Sequence, residues 1–413
     1  MVWPGTWRRL TWGDRLSFLT VAIIVVSAVR TAPTRGQGPE EHASSLAWQT
    51  LAPMPVGVFA AAASRAGDRA VITGGINQGG FSETAVQRMD LGRSAWLTVT
   101  RLRMARCFHA QVTLADQRVL VLGGQSGRVP GALRPIASCE LVDPATGRVW
   151  PVPDLPRPLF EPTAHALGDG RVLVIGGQGA WVLDPALRGW EQVADLHHQR
   201  RAHASVELDD GTILVVGGQA GGGPELLDIA AGTSRLVAVD GVEGLDDLEV
   251  VALPGRRAWV LGGQKPGGDT VDQTWVLDLA DPGGPKCEPG PPLLVRGGLA
   301  DHRIVQVGPW VIVAGGETQR AGVDVELSVA RLLDTGTLAV WSLPDLPGAH
   351  DDAVAVATGR GMILFGGFTT RPGRRGGDLP WPRAVGQVHR LEVPADRVRG
   401  GAAGVPPRPI PAH

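Results

Sequence analysis

Short apolar runs alternate with polar, glycine-rich turns along most of the chain, and one kind of run recurs. It reads AVITGG, VLVLGG, VLVIGG, ILVVGG, AWVLGG, VIVAGG and MILFGG, closing at Gly75, Gly124, Gly177, Gly218, Gly263, Gly316 and Gly367. The doublets lie 41 to 53 positions apart, the period of a supersecondary repeat. A run that is apolar at odd and even positions alike predicts a strand covered on both faces. Ahead of it stands an alternating or small-residue stretch and a tight turn, as in His203 to Gly218, where Asp209-Asp210-Gly211 supplies the hairpin reversal. Behind it, a loop leads to an apolar stretch closed by an acid at Asp90, Asp143, Asp184, Asp228, Asp278 and Asp334. Such an acid accepts backbone N–H bonds from the turn that follows. In four repeats a tryptophan then opens a fourth strand, at Trp96, Trp150, Trp190 and Trp341; repeats four and five carry Leu236 and Cys287 in those neighbourhoods instead.

Four antiparallel strands per repeat make a small twisted sheet, and stacking one sheet on the next buries both faces. The glycines permit positive φ and close backbone approach, while tryptophan fills the space that widens toward the rim. The doublet, the acid-closed third strand and the tryptophan resemble the kelch motif, repeated along positions 46 to 394, and the whole resembles a bacterial exported kelch-repeat protein. That resemblance implies an all-β fold, a seven-bladed kelch-type β-propeller with blades around a central channel. The last repeat has a third strand, 388 to 393, but no fourth, and the stretch from Ala47 to Pro55 reads as an orphan fourth strand. The last blade is therefore expected to be closed by the N-terminal strand near Trp48, which removes an open sheet edge.

Outside the repeats, Arg8, Arg9 and Arg15 precede the apolar run from Leu16 to Val29, and Arg30 follows it. This is the layout of a signal peptide over 1–29, with Val26-Ser27-Ala28 as a cleavage site, or of an N-terminal membrane anchor. Either predicts an exported chain in the periplasm, at the cell surface or outside the cell. Residues 30–45 read as linker and 395–413 as a disordered Gly/Pro-rich tail. A formal charge of −2 offers no basic surface for nucleic acid. Cys107, Cys139 and Cys287 have neither a disulfide framework nor zinc-ligand spacing and read as small buried hydrophobes.

Candidate chemistry is sparse. His109, His203 and His302 fall near the start of the innermost strand in blades two, four and six, with Ala60, Pro162, Leu248 and Asp351 or Asp352 aligned to them elsewhere. Alternate blades hold such imidazoles too far apart to share an ion, so they are expected to tie inner-strand loops together, and neither metal nor cofactor is expected. Copper radical oxidases share this propeller, but their chemistry needs tyrosine and the chain has none. Kelch-type sialic acid epimerases suggest an alternative, a carbohydrate-modifying enzyme acting in the channel, for which His109 and Glu249 are channel candidates. The leading expectation is binding: long loops between second and third strands open on one face, that of blade seven carrying Arg371, Arg374, Arg375, Trp381 and Arg383 and that of blade two Arg128 and Arg134. Guanidinium groups beside an indole suit a protein partner or an anionic glycan.

Overall fold

The computed structural model describes residues 46–129, 131–219, 222–320, 323–369 and 383–393, all within the unit Glu40–His413. The expected leader, linker and tail lie outside the described residues. Among those residues all regular structure is strand: seven small antiparallel sheets arranged as a seven-bladed β-propeller, with three two-stranded ribbons, 125–126 with 134–135, 317–320 with 323–326 and 368–369 with 383–384, in the loops. Blade one comprises Ala62–Ala66, Arg69–Thr73, Glu83–Asp90 and Ala95–Trp96, the last continued by Thr100–Arg106; blade two comprises Ala110–Thr113, Val119–Leu122, Cys139–Val142 and Val149–Val152. Blades four, five and six run from inner to outer strand as His203–Glu207, Ile213–Gly217, Glu225–Asp228, Thr233–Leu236; Glu249–Leu253, Arg257–Leu261, Thr274–Asp278, Lys286–Gly290; and Arg303–Val307, Trp310–Ala314, Ala330–Asp334, Val340–Ser342. The outer strands of blades four and five thus form without tryptophan, around Leu236 and Cys287.

Blade three is tighter. Its inner strand Thr163–Ala166 pairs with one end of Val172–Leu183, whose other end pairs with Trp190–Arg200. Val172 and Val174 share a core cluster with Trp181 and Leu183, while Leu173 and Ile175 share another with Ala180 and Val182. A straight strand would put Val172 and Ala180 on one face; the opposite parity shows that the stretch folds back on itself near Gly176 and Gly177.

The apolar runs do what their lack of alternation predicts. In blade two, Val119 and Val121 join Val71 and Val86 of blade one, while Leu120 and Leu122 join Val172 and Val174 of blade three. The same division recurs at every neighbouring pair, giving seven interblade cores. No blade encloses a core alone. At the far turns, all six closing acids accept backbone N–H bonds, for example Asp143 Oδ1 from Ala145 at 2.8 Å and Asp334 Oδ1 from Gly336 at 2.8 Å. On the rim, Trp48, Trp96 and Trp190 each donate an indole N–H to a carbonyl just beyond the outer strand of the preceding blade: Pro344 at 2.8 Å, Ala52 at 3.0 Å and Pro153 at 2.9 Å. The ring closes as expected, with Gln49–Thr50 pairing to Arg390 and His389 as the fourth strand of blade seven, beside Val354–Ala357, Gly361–Phe365 and Val388–Glu392.

The paired glycines couple blade to blade. In six of the seven pairs the second glycine donates its N–H to a carbonyl in the segment entering the next blade: Gly75 to Arg106 at 2.8 Å, Gly124 to Leu159 at 2.8 Å, Gly218 to Leu245 at 2.7 Å, Gly263 to Leu299 at 2.8 Å, Gly316 to His350 at 2.8 Å and Gly367 to Val58 at 2.9 Å. Those residues have φ between 88° and 104°. Two buried ion pairs reinforce the same loops, Arg106 with Glu140 at 2.9 Å and Arg200 with Glu225 at 2.6 Å, each guanidinium also bonded to glycine carbonyls. A Cβ on Gly316 would stand 2.3 Å from the Ala300 carbonyl oxygen, whereas one on Gly284, also at positive φ, meets nothing within 4 Å. In urea unfolding, Gly316→Ala is expected to lose more than about 3 kcal/mol. Gly284→Ala, with only its left-handed strain, should lose about 1 kcal/mol.

Candidate functional site: the axial channel

One residue per blade, immediately ahead of the inner strand, has left-handed backbone: Ala60, Phe108, Glu161, Ala202, Asp247, Asp301 and Asp352, with φ from 48° to 53°. Backbone bonds join five of the seven neighbouring pairs around the axis. The N–H of Ala60 donates to Asp352, Phe108 to Ala60, Glu161 to Phe108, Asp247 to Ala202 and Asp301 to Asp247, at 2.9 to 3.2 Å. The left-handed state costs a non-glycine residue about 1 kcal/mol. Since alanine adopts it too, the strain belongs to the propeller and only the choice of side chain is free for function.

Four of the seven choices are carboxylic acids, in blades three, five, six and seven. Asp246, Glu249, Glu317 and Asp351 add further carboxyls beside them. Groups from separate blades lie near enough to shift one another's ionisation. Burial, then Asp301 and Asp352, pushes the Glu161 carboxyl up to about 8. Burial and Asp352 raise Asp301 to about 8, and burial with Asp301 raises Glu317 to about 9. Asp247 and Asp351 are driven well above the ordinary carboxyl range by burial and by Asp301. Burial lifts Asp246 to about 6 against a bond from Gln219, and lifts Glu249 to about 7 against the attraction of Arg303. Arg303 donates to the Ala353 carbonyl at 2.7 Å and stands 3.7 Å from Asp352 and 3.9 Å from Glu249, beyond hydrogen-bond reach of both.

Apolar groups stand around the same ring. Phe59 and Phe368 meet edge to face at 5.0 Å, within a cluster that includes Ala60, Ile76, Cys107 and Ala384. Phe108 meets Phe160 at 5.7 Å, and the Arg201 guanidinium lies 5.8 Å from the Phe160 ring centre. Burial, with Asp352 and Glu161 nearby, holds Cys107 as a neutral thiol. Around the ring, phenyl groups thus gather at the entries to blades seven, one, two and three and carboxyls at those to blades three, five, six and seven, the two sets meeting where Phe368 pairs with Asp351 and where Phe160 precedes Glu161.

The histidines sit one residue past this ring and turn between blades. His109 Nε2 bonds Thr73 Oγ1 at 2.8 Å and His203 Nε2 bonds Thr163 Oγ1 at 3.1 Å, in each case reaching the preceding blade. His302 is fully buried with no hydrogen-bond partner on either ring nitrogen. Their true equivalents in blades one and seven are Ala61 and Ala353, whose Cβ atoms face Gly75 and Gly367 as His109 faces Gly124. The alignment to Ala60 and to Asp351 or Asp352 is therefore corrected by one or two positions, because the left-handed residue precedes the strand. On the loop face, Arg128 lies 5.0 Å over the Phe81 ring, Arg134 pairs with Ser126, and Arg383 pairs with Thr369. Arg371, Arg374, Arg375 and Trp381 lie outside the described residues.

Of these acids, Glu249 and the aligned Asp351 or Asp352 stand out in the sequence, but the acid ring as a set does not. A signal for it exists: each ring residue stands 15 or 16 positions before the second glycine of its own blade, from Ala60 with Gly75 to Asp352 with Gly367.

These features support a kelch-type β-propeller. No family model matches the chain, and no curated protein does. Among solved structures it is similar to YjhT, at 13% identity and a TM-score of 0.54 over 84% of this chain and 98% of that one. It is also similar to a fungal alcohol oxidase of the AA5 family in complex with copper, at 14% identity and a TM-score of 0.62 over 85% of this chain and 77% of that one. At such identities the likeness is one of fold. The residues here do not fit a copper centre: the chain lacks tyrosine, and among the described residues no group of three or more His, Cys, Asp or Glu is arranged to hold a metal ion.

The electrostatics set a pH dependence with a definite sign. A carboxyl whose pKa is raised by folding favours the native state below its unfolded pKa, and that contribution is lost as pH rises through the folded value. Histidines lowered by burial, such as His203 and His302 at about 3, act oppositely and cost stability only below 6.5. Between pH 6.5 and 8, below the range in which the buried thiols ionise on unfolding, the carboxyls act alone. The melting temperature should fall across that window in a thermal scan, and Asp301→Asn should flatten the fall.

Proposed function

We propose that this chain is an exported kelch-repeat binding protein whose axial channel takes a small ligand with an apolar body and a cationic head. The observation that supports it is the gathering of phenyl rings and carboxyls around one ring of inner-strand entries. Eight carboxyls gather around the ring with Arg201 and Arg303; burial raises their proton affinities first, and for Glu161, Asp247, Asp301, Glu317 and Asp351 the charge of neighbouring carboxylates raises them further. A protonated amine relieves it by supplying positive charge among the carboxylates, while the aromatic edges and faces receive the apolar part. Export rests on the arginine-flanked apolar run near the N-terminus, and kelch membership on the seven glycine doublets with their acid-closed third strands.

A second reading has its own support. Glu249 is raised to about 7 and Asp301 to about 8, so at neutral pH an ionised carboxyl can stand near a protonated one, the pairing that acid/base chemistry on a sugar requires. Incubation with hexoses, N-acetylhexosamines and sialic acids, followed by mass and NMR analysis, would reveal an altered sugar under this reading and none under the first.

Binding is tested by calorimetry with aryl-alkyl amines and their isosteric carboxylic acids. Amines should bind, more tightly as pH rises from 6.5 to 9 and the carboxyls ionise. Asp301→Asn should weaken them about tenfold, the effect of one partly buried charge contact of about 1.4 kcal/mol. Equal binding of amines and acids, or no effect of Asp301→Asn, would remove the cationic-head assignment.

A further inference from the structure

The loop face carries a second, oppositely charged feature away from the axis. Arg101 and Arg103 stand on the strand Thr100–Arg106, both exposed on either side of buried Leu102, and Arg128 and Arg134 belong to the loop of blade two. None of the four forms an ion pair among the described residues. The carboxylates that could have served them are occupied: Glu83 takes the Asn77 amide at 2.6 Å, and Glu140 takes Arg106 together with the N–H groups of Arg103 and Met104. By contrast, arginines at the turns of the opposite face find acids, as Arg93 does with Asp90, Arg118 with Asp116, Arg171 with Asp169 and Arg360 with Glu392.

Two large apolar side chains are exposed among these arginines. Phe81 is 50% exposed beneath the Arg128 guanidinium, and Met104 is 42% exposed next to Arg103 in the chain. The loops of blades one and two are tied together beneath them, Ser82 donating its backbone N–H to Gly127 at 2.9 Å and Gly127 returning its own to the Ser82 hydroxyl at 2.9 Å. The surface is therefore held in place before any partner arrives, which lowers the ordering cost of binding.

We infer that this face, centred on Arg101, Arg103, Arg128 and Phe81, docks an extended acidic polypeptide segment that also carries apolar side chains. Charge complementarity selects an anionic partner. The exposed phenyl and thioether surfaces select a polypeptide over a purely polyanionic glycan, which offers nothing to cover them. The spacing agrees: Arg101 and Arg103 are two residues apart on one strand, about 6.6 Å, the repeat of side chains along one side of an extended peptide. The inference is independent of the channel's ligand, which approaches a different group of residues.

The test uses fluorescence anisotropy with the full chain and a labelled synthetic peptide of about ten residues alternating glutamate with leucine or phenylalanine, long enough to span the patch when extended. A peptide with lysine for glutamate and a heparin competitor serve as controls. Saturable binding of the acidic peptide is expected, with the lysine peptide silent and heparin a weak competitor. The triple variant Arg101→Ser/Arg103→Ser/Arg128→Ser should bind about tenfold more weakly, the sum of a few exposed ion pairs. Phe81→Ser should weaken binding severalfold with little change in salt dependence. Should the triple variant unfold in circular dichroism, Arg103→Glu alone carries the test, since reversing one exposed charge leaves the strand pairing intact. No saturable binding overturns the inference, as does heparin binding at least as tightly as the peptide with Phe81→Ser neutral.

Discussion

The propeller depends on a hydrogen bond from the second glycine of each doublet to a carbonyl in the loop that enters the next blade. It is made at six of the seven doublets with nearly constant geometry, and the last of these, Gly367 to Val58, carries the ring across the chain's own join. The backbone must turn into positive φ to aim that N–H, and the neighbouring carbonyls leave no room for a side chain, so both demands select glycine at once. Burial of the apolar strands supplies most of the favourable free energy. The bond fixes where one sheet sits on the next, and so where the following inner strand begins.

That placement generates the channel. Once each entering loop is pinned, the residue ahead of the inner strand is forced left-handed, and seven such residues are brought around the axis, five neighbouring pairs of them joined by backbone bonds. A strained ring of identical backbone is a neutral platform: alanine satisfies it in blades one and four, phenylalanine in blade two. Acids at the remaining positions repel one another and are partly withdrawn from water, so they contribute nothing to folding at neutral pH. Their presence needs a reason other than stability, and a ligand supplies one.

The fold was legible because its determinants are local and repeated. A doublet, an acid at a strand end and a rim tryptophan each mark a position within a blade, and seven copies make the period plain. Gly176-Gly177 shows the limit: blade three has the doublet but the shortest second-to-third connection, and there Gly177 pairs instead with Arg200 in the long outer strand. The site was harder to see because its members are one per repeat and scattered over nearly two hundred positions, from Glu161 to Asp352. Histidines drew attention as chemically distinctive residues, yet they face between blades, where His109 and His203 bond threonines and His302 is buried without a partner. The acids beside them, Asp301 ahead of His302 above all, are ordinary in any single repeat and become a set only when the ring is assembled. Among the long-loop arginines, Arg128 and Arg134 have a described setting, and the exposed Phe81 beneath Arg128 comes from the neighbouring repeat, a pairing that no motif encodes.

The join in blade seven has a consequence for how the molecule comes into being. Gln49 and Thr50 find their partners only at His389 and Arg390, so any growing or threaded chain must carry an unfinished sheet edge until nearly all of it has emerged. Local hairpins can form in order along the way, but the final contact spans almost the full sequence, a slow, non-local step. Until that step the first tryptophan of the ring has no outer strand to complete. The mature ring, by the same logic, opens only by giving up its first and last strands together, which makes it resistant to fraying from either end.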